Sequence, residues 1–261
     1  MKEIILKVKE IPEIGMEAEN ISPDIFAGEN LEGIENLRVY VGSRKERLKK
    51  FFGVEGKKAE KPEDLKIVIK GNVSRVKRIG QGMSAGEILI KGDAGMHLGS
   101  RMKGGKITTE GNVGSWTGME MSGGKIIIEG NAGNFVGSAY RGNYKGMNGG
   151  EILIQGDAGS NIGACMTNGK ITIKGNADQF VGVRMQGGLI LLEGNVDSRA
   201  GAEMMKGIIV IEGSVKEMLP SFMEKGEVEK IKANGEEIKG KFTEYMGDLA
   251  EGGDGRVYVK S

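Results

Sequence analysis

Few groups in this 261-residue chain could act on a substrate, and they are scattered. There is one histidine, His97, and one cysteine, Cys165. A single imidazole supplies neither a multi-histidine metal site nor a triad with internal partners, and one thiol cannot hold a four-cysteine zinc or iron–sulfur site. Asn72, Asp93, Asn112, Asn131, Asp157, Asn176 and Asn195 each follow a glycine. Asn and Asp in that place tolerate left-handed turn backbone, so the column reads as a row of turns rather than a metal or acid–base array. Glu110 and Glu129 close successive strand-like segments and superficially match a glycosidase carboxylate pair. Lys91, Gln155 and Lys174 hold the same position elsewhere, which makes the column a solvated mixed-charge ladder.

These residues recur because the chain repeats. Gly followed by Asn, Asp or Ser starts at Gly71, Gly92, Gly111, Gly130, Gly156, Gly175, Gly194 and Gly213, in steps of 21, 19, 19, 26, 19, 19 and 19. A fixed period in this range denotes one structural unit stacked along an axis. Counting from the six starts Gly92 to Gly194, position 8 is always glycine: Gly99, Gly118, Gly137, Gly163, Gly182 and Gly201. Methionine recurs three residues later at Met102, Met121, Met166, Met185 and Met204, and reads as adaptable core filler. His97 shares position 6 with Trp116, Phe135 and Phe180, which favours a packing or surface role, and Cys165 stands among Arg101, Glu120, Arg184 and Glu203 as an incidental thiol.

Each unit ends in an alternating segment such as Lys125-Ile126-Ile127-Ile128-Glu129, whose period of two predicts a strand with Ile126 and Ile128 on one face. No helix of useful length fits between such closely spaced glycines. One unit buries too few apolar side chains to offset the ordering of 19 backbones, so it folds only on its neighbours. The expected fold is all-β: a right-handed parallel β-helix of about seven 19-residue turns over residues 66–216. An α+β cap over 1–65 is expected to hold a strand at 2–9, a short helix from Ser22-Pro23-Asp24, a strand at 37–41 and a polar helix leading to Phe51-Phe52. A C-terminal capping extension over 217–261 would carry a short helix near 217–224. Left-handed hexapeptide coils need an aliphatic residue every sixth position, which is absent here.

The 26-residue unit departs from the rule. Its seven extra residues fall within 139–146 and bring Tyr140, Arg141, Tyr144 and Lys145 together, two of five tyrosines beside two cations. That composition is typical of interface anchors, against which stands a tolerated surface bulge.

Composition excludes several classes. With 37 basic and 36 acidic residues no net field attracts nucleic acid or an anionic membrane, so neither is an expected partner. No apolar run approaches a membrane span, the first residues lack a signal-peptide core, and cysteine is nearly absent, all of which fit a cytoplasmic protein.

Several stretches are similar to one family, the C subunits of formylmethanofuran dehydrogenase. They are Ile21-Ser22-Pro23-Asp24-Ile25-Phe26-Ala27-Gly28, Gly71-Asn72-Val73-Ser74-Arg75-Val76-Lys77, Gly80-Gln81-Gly82-Met83-Ser84-Ala85-Gly86, the insert from Tyr140 to Met147, and Gly247-Asp248-Leu249-Ala250-Glu251-Gly252-Gly253. The repeat by itself also resembles the C-terminal β-helix of the glutamate synthase large subunit, and the flanks separate the two. The resemblance implies a complex that reduces carbon dioxide and attaches it to methanofuran, the first step of methanogenesis from carbon dioxide. Reduction would belong to a tungsten or molybdenum pterin subunit with iron–sulfur clusters, and formyl transfer to a metal-dependent amidohydrolase-like subunit. The C subunit would be a scaffold with no catalytic, cofactor-binding or metal-binding residue, and Tyr140, Arg141, Tyr144 and Lys145 would be candidate contacts to a partner or to methanofuran. A related subunit of a methylotroph formyltransferase/hydrolase complex and a glutamate-synthase-like module are the alternatives; a free-standing polysaccharide enzyme is the rival of another class. The last unit reads Met205-Lys206-Gly207 instead of Met-x-Gly-Gly, which is expected to mark the end of regular stacking.

Overall fold

The computed structural model describes residues 1–10 and 12–261, almost entirely strands and turns. Thirteen strands form one sheet: β1 (Lys2–Val8), β2 (Phe52–Gly56), β3 (Leu65–Lys70), β4 (Glu87–Lys91), β5 (Lys106–Thr109), β6 (Lys125–Ile128), β7 (Asn148–Ile154), β8 (Asn168–Ile173), β9 (Gln186–Leu192), β10 (Lys206–Ile211), β11 (Met223–Ala233), β12 (Glu236–Gly247) and β13 (Gly255–Lys260). Their order across the sheet is β11-β12-β13-β10-β9-β8-β7-β6-β5-β4-β3-β1-β2.

From β3 to β10 every strand pairs parallel with the strand one unit on. The register is fixed by the repeat: Ile107 faces Ile88 on one side and Ile126 on the other. A second row of parallel bridges runs Val73, Ala94, Val113, Ala132, Ala158, Ala177, Val196 and continues to Val215. Two rows advancing in step mean that each unit makes one circuit and lies on the previous one. Alternation then sorts the side chains, with Ile126 and Ile128 fully buried and Ile127 half-buried on the outside. Met102, Met121, Met147, Met166, Met185 and Met204 are also completely buried.

The Asn/Asp column ties the circuits together. Its side-chain oxygens accept from backbone N–H groups one unit on: Asp93 from Asn112, Asn112 from Asn131, Asn131 from Asp157 and Asn176 from Asn195, all at 2.8–2.9 Å. Glu110 and Glu129 are exposed where β5 and β6 end.

Both termini join the same sheet. β1 pairs parallel with β3 and antiparallel with β2, while Met16–Glu17 pairs parallel with Val76–Lys77 in a separate four-stranded sheet that includes Arg38–Val41 and Arg44–Arg47. At the other end β13 pairs parallel with β10, and β12 and β11 then fold back as an antiparallel hairpin. That hairpin covers the outside of the last units, with Ile231, Ala233 and Phe242 packed on Leu189 and Val210. The first outward position is charged in earlier strands, as in Lys106, Lys125 and Glu151, and apolar only at Leu189 and Ile208.

Two local expectations fail. No helix occurs near 217–224: Val215–Glu217 continues the second row on Val196–Ser198, and β11 starts at Met223. The polar stretch before Phe51-Phe52 is mostly strand, because Arg44–Arg47 pairs with Arg38–Val41 around Gly42 at φ 59, leaving only Leu48–Phe51 helical. Pairing in the sheet overrides the helix preference of Arg, Lys and Glu. Regular stacking ends with the unit that carries Met205-Lys206-Gly207, as expected: the next neighbour of β10 is β13, from the C-terminal extension, and the strands beyond it pair antiparallel. The helix after Ser22 is present as Pro23–Phe26, with Ser22 Oγ accepting from Asp24 N at 3.3 Å. A further helix, Leu31–Glu35, is capped by Asn30.

Candidate functional site: an aromatic corner crossed by the insert

The stretch 97–101 shows how each circuit turns its corner. His97, Gly99 and Arg101 all have left-handed backbone, with φ of 63, 60 and 57. Their amides point alternately along the axis: His97 N donates to Ser115 O, Gly99 N to Ile79 O, and Arg101 N to Met119 O, at 2.7–2.9 Å. Neighbouring circuits therefore satisfy every one of these groups, which offsets a cost of about 1–2 kcal/mol for each non-glycine residue held there. Gly99 faces inward, where an added Cβ would meet Ile126 Cδ1 at 2.7 Å. Positions 6 and 10 on either side carry the corner's side chains.

Position 6 becomes a stack. His97 lies on Trp116 with centroids 5.4 Å apart and planes within 5°, and Trp116 lies on Phe135 at 4.8 Å and 6°. Offset stacking of this kind contributes about 0.5–1.5 kcal/mol per pair beyond burial. Further along, Arg199 covers Phe180 at 5.1 Å. His97 is buried, its Nδ1 has no partner among the described residues, and its pKa is lowered to about 4 by burial and by Arg78 and Lys77. It is a neutral packing group near pH 7.

Position 10 carries charge pairs: Arg101 Nε to Glu120 at 2.8 Å and Arg184 Nε to Glu203 at 2.7 Å. Cys165 stands between them, buried, with its thiol pushed up by that burial.

The extra residues Tyr140–Gly146 are spliced in after position 10 without disturbing the corner. Met147 N still donates to Gly137 O at 2.9 Å, as Met102 N does to Gly99 O at 3.1 Å. The insert forms a strap along the stack. At one end Tyr140 leans on His97 and Trp116, 6.1 and 6.3 Å between centroids, and Arg141 sits over Trp116 at 5.5 Å. Glu120 fastens this end by accepting from Tyr140 N at 3.2 Å and Asn143 Nδ2 at 2.8 Å. Burial raises the Glu120 carboxyl, but those bonds and Arg101 outweigh it and hold it below the usual glutamate range. At the other end Tyr144 O accepts from Gln186 Nε2 at 3.0 Å. There Tyr144, Cys165, Arg184, Gln186, Glu203, Met205 and Glu251 line an open cavity of about 320 Å³.

The structure thus gathers Tyr140, Arg141, Tyr144 and Lys145 on one exposed strap. The position-8 glycines and the methionines lie inside, away from it. Glu120 and Gln186, which pin the strap, carry no mark of their own in the sequence, because their role depends on which units the insert crosses. Among the described residues no three His, Cys, Asp or Glu side chains converge as metal ligands. The single buried thiol of Cys165 does not supply the set of cysteine ligands that an iron–sulfur cluster takes. No helix among the described residues is long and apolar enough to cross a membrane.

No family model matches the chain. Its homologues are named as the C subunits of tungsten- and molybdenum-containing formylmethanofuran dehydrogenases, as the sequence resemblance anticipates. It is 48% identical over 99 residues to the tungsten-containing enzyme's C subunit from Methanothermobacter wolfeii, 38% of this chain and 37% of that one. Against the tungsten-containing enzyme's C subunit from Methanococcus maripaludis identity is 54% over 147 residues, 56% of this chain and 53% of the relative. The molybdenum-containing enzyme's C subunit from Methanosarcina barkeri is 45% identical over 98 residues, 38% of this chain and 33% of the relative. The chain thus aligns with only about a third to a half of the length of these curated relatives. A solved structure matches nearly throughout, with a TM-score of 0.88, 28% identity and coverage of 98% of this chain and 99% of the other. It is a chain of the formyltransferase/hydrolase complex (FhcABCD) from Methylorubrum extorquens in complex with methylofuran.

Proposed function

We propose that this chain is the C subunit of a formylmethanofuran dehydrogenase, acting as a non-catalytic scaffold that holds the reductase and amidohydrolase-like subunits of that complex together. The observation that carries the reading is the likeness, at TM-score 0.88 over 98% of the chain, to a chain that is itself part of a multi-component formyl-transferring complex. Identities of 45–54% to dehydrogenase subunits, against 28% to the methylotroph chain, favour the dehydrogenase. In this reading the stack is a right-handed parallel β-helix over 66–216, residues 1–65 and 217–261 are its caps, and the complex works in the cytoplasm. The pterin, iron–sulfur clusters and catalytic metals belong to other subunits. The chemistry available here supports that division: a neutral buried imidazole, a buried thiol and surface ion pairs offer no nucleophile–base pair.

Purification of the tagged chain from its native cells, with identification of every co-purifying polypeptide and metal, tests this. Recovery with pterin- and iron–sulfur-containing subunits is the expected result, and recovery as a lone stable monomer would overturn it. The likeness to the methylotroph complex supports a second reading, in which the chain serves formyl hydrolysis. Partners lacking any pterin or iron–sulfur subunit would favour that reading.

A further inference from the structure

Resting on the scaffold reading, the geometry points to one edge of the stack as the seat of a neighbouring subunit. We propose that the edge centred on Tyr144 and Met205 docks a protein surface offering carboxylates to Arg141 and Lys145, flanked by apolar side chains.

Three observations converge there. Tyr140, Tyr144, Met205 and Leu249 are 43%, 68%, 42% and 40% exposed, half of the large hydrophobic residues that face solvent among the described ones. Tyr144 and Met205 line the same open cavity, together with Glu251, which shares a 3₁₀ turn with Leu249. Isolated exposed apolar residues are ordinary, whereas several on one edge mark an interaction site.

The strap carries two cations and no carboxylate. Arg101 and Arg184 along this edge each pair with a glutamate one unit on. Arg141 and Lys145 are exposed with no ion-pair partner among the described residues, so they are left to meet carboxylates from outside. Arg and Tyr set in an apolar patch are the residues that anchor protein interfaces.

The strap is also held ready. Glu120 fixes one end and Gln186 the other, so Tyr144 is presented on pinned backbone although its ring is largely in solvent. Fixing an exposed aromatic in this way gains little for the fold itself, and it removes the ordering cost that a binding partner would otherwise meet. A small-molecule site fits less well, because the cavity is open and Arg184, Glu203 and Gln186 in its lining are already engaged within the chain.

Met223 gives an internal reference, since it is 47% exposed on the hairpin strand β11 and does not line the cavity that Tyr144 and Met205 share. Peroxide oxidation followed by mass spectrometry, on the native complex and on the isolated chain, reads both sites at once. In the isolated chain the two methionines are expected to oxidise at similar rates. In the complex Met205 should slow by at least about tenfold relative to Met223, as a water-excluded contact requires. An intact complex in which Met205 oxidises as in the isolated chain would overturn this inference and leave the scaffold reading standing. Failure to co-purify any partner would overturn both. Protection of Met205 in the isolated chain through self-association would assign the edge to a second copy and refute the choice of partner. As a second check, Lys145→Glu is expected to lower complex yield about tenfold with Trp116 emission unchanged. Unchanged yield would count against the charge pairing.

Discussion

Gly118→Ala tests whether the position-8 glycines are notches for the isoleucines of later units. Gly118 has φ 64, and an added Cβ would lie 2.4 Å from Ile152 Cδ1 and 3.4 Å from Ile126 Cδ1. Left-handed backbone costs alanine about 1–2 kcal/mol. Overpacking against a fixed core side chain adds about 1–3 kcal/mol. The stiffer unfolded chain returns about 0.4–1 kcal/mol. The expected loss is thus about 2–4 kcal/mol, read by urea unfolding through the emission of Trp116, the only tryptophan. Ile152→Val deletes the clashing methyl and by itself should cost about 0.5–1.5 kcal/mol. Combined with Gly118→Ala it should recover about 1–2 kcal/mol as a coupling energy. Gly142 has φ 81 with nothing within 4 Å of an added Cβ, so Gly142→Ala isolates the backbone contribution. A Gly118→Ala protein within about 0.5 kcal/mol of the parent, or a double mutant with no coupling, would refute the notch.

Three further outcomes are expected. His97 titrates near 4 when folded and near its ordinary 6.5 when unfolded, so stability is full above about pH 6.5 and falls as pH drops toward 4. The loss should reach about 2 kcal/mol by pH 5, and His97→Phe, which keeps the stack, should flatten the change in urea midpoint between pH 7 and 5. Thr109 is completely buried at an inward position and its hydroxyl has no partner among the described residues, so Thr109→Val should raise the thermal midpoint, by about 1 kcal/mol in stability. Asn112→Asp replaces an amide that donates to Asp93 at 3.1 Å with a second carboxylate. It should destabilise more than Asp93→Asn does, and added salt should narrow the difference in urea midpoints.

The stack was legible because one rule is written seven times. Gly99 and its counterparts need both a left-handed backbone and an inward face without a side chain, and no other residue meets both demands, so the column shows in the sequence. Positions 6 and 10 adopt the same backbone with His97, Trp116, Arg101 or Glu120, and outward side chains hide the constraint. The hairpin was signalled only by the change from charged residues to Leu189 and Ile208, two positions that mean little until β11 and β12 are seen to cover them. The helix expected near 217–224 failed because a pattern local to eight residues could not report that Val196–Ser198 offered an open edge. For the strap, composition indicated contact chemistry, while its anchors on Glu120 and Gln186 lie 20 or more residues away in either direction.

The sheet closes with strands of opposite polarity at both borders, β2 beside β1 and β11 beside β12. At the first border β2 runs against the repeat strands; at the other β12 does so, and β11 turns back to their direction as the outer strand of a hairpin. Chain reversal thus ends the uninterrupted parallel run of rungs at both borders, which is what sets the number of circuits in the column.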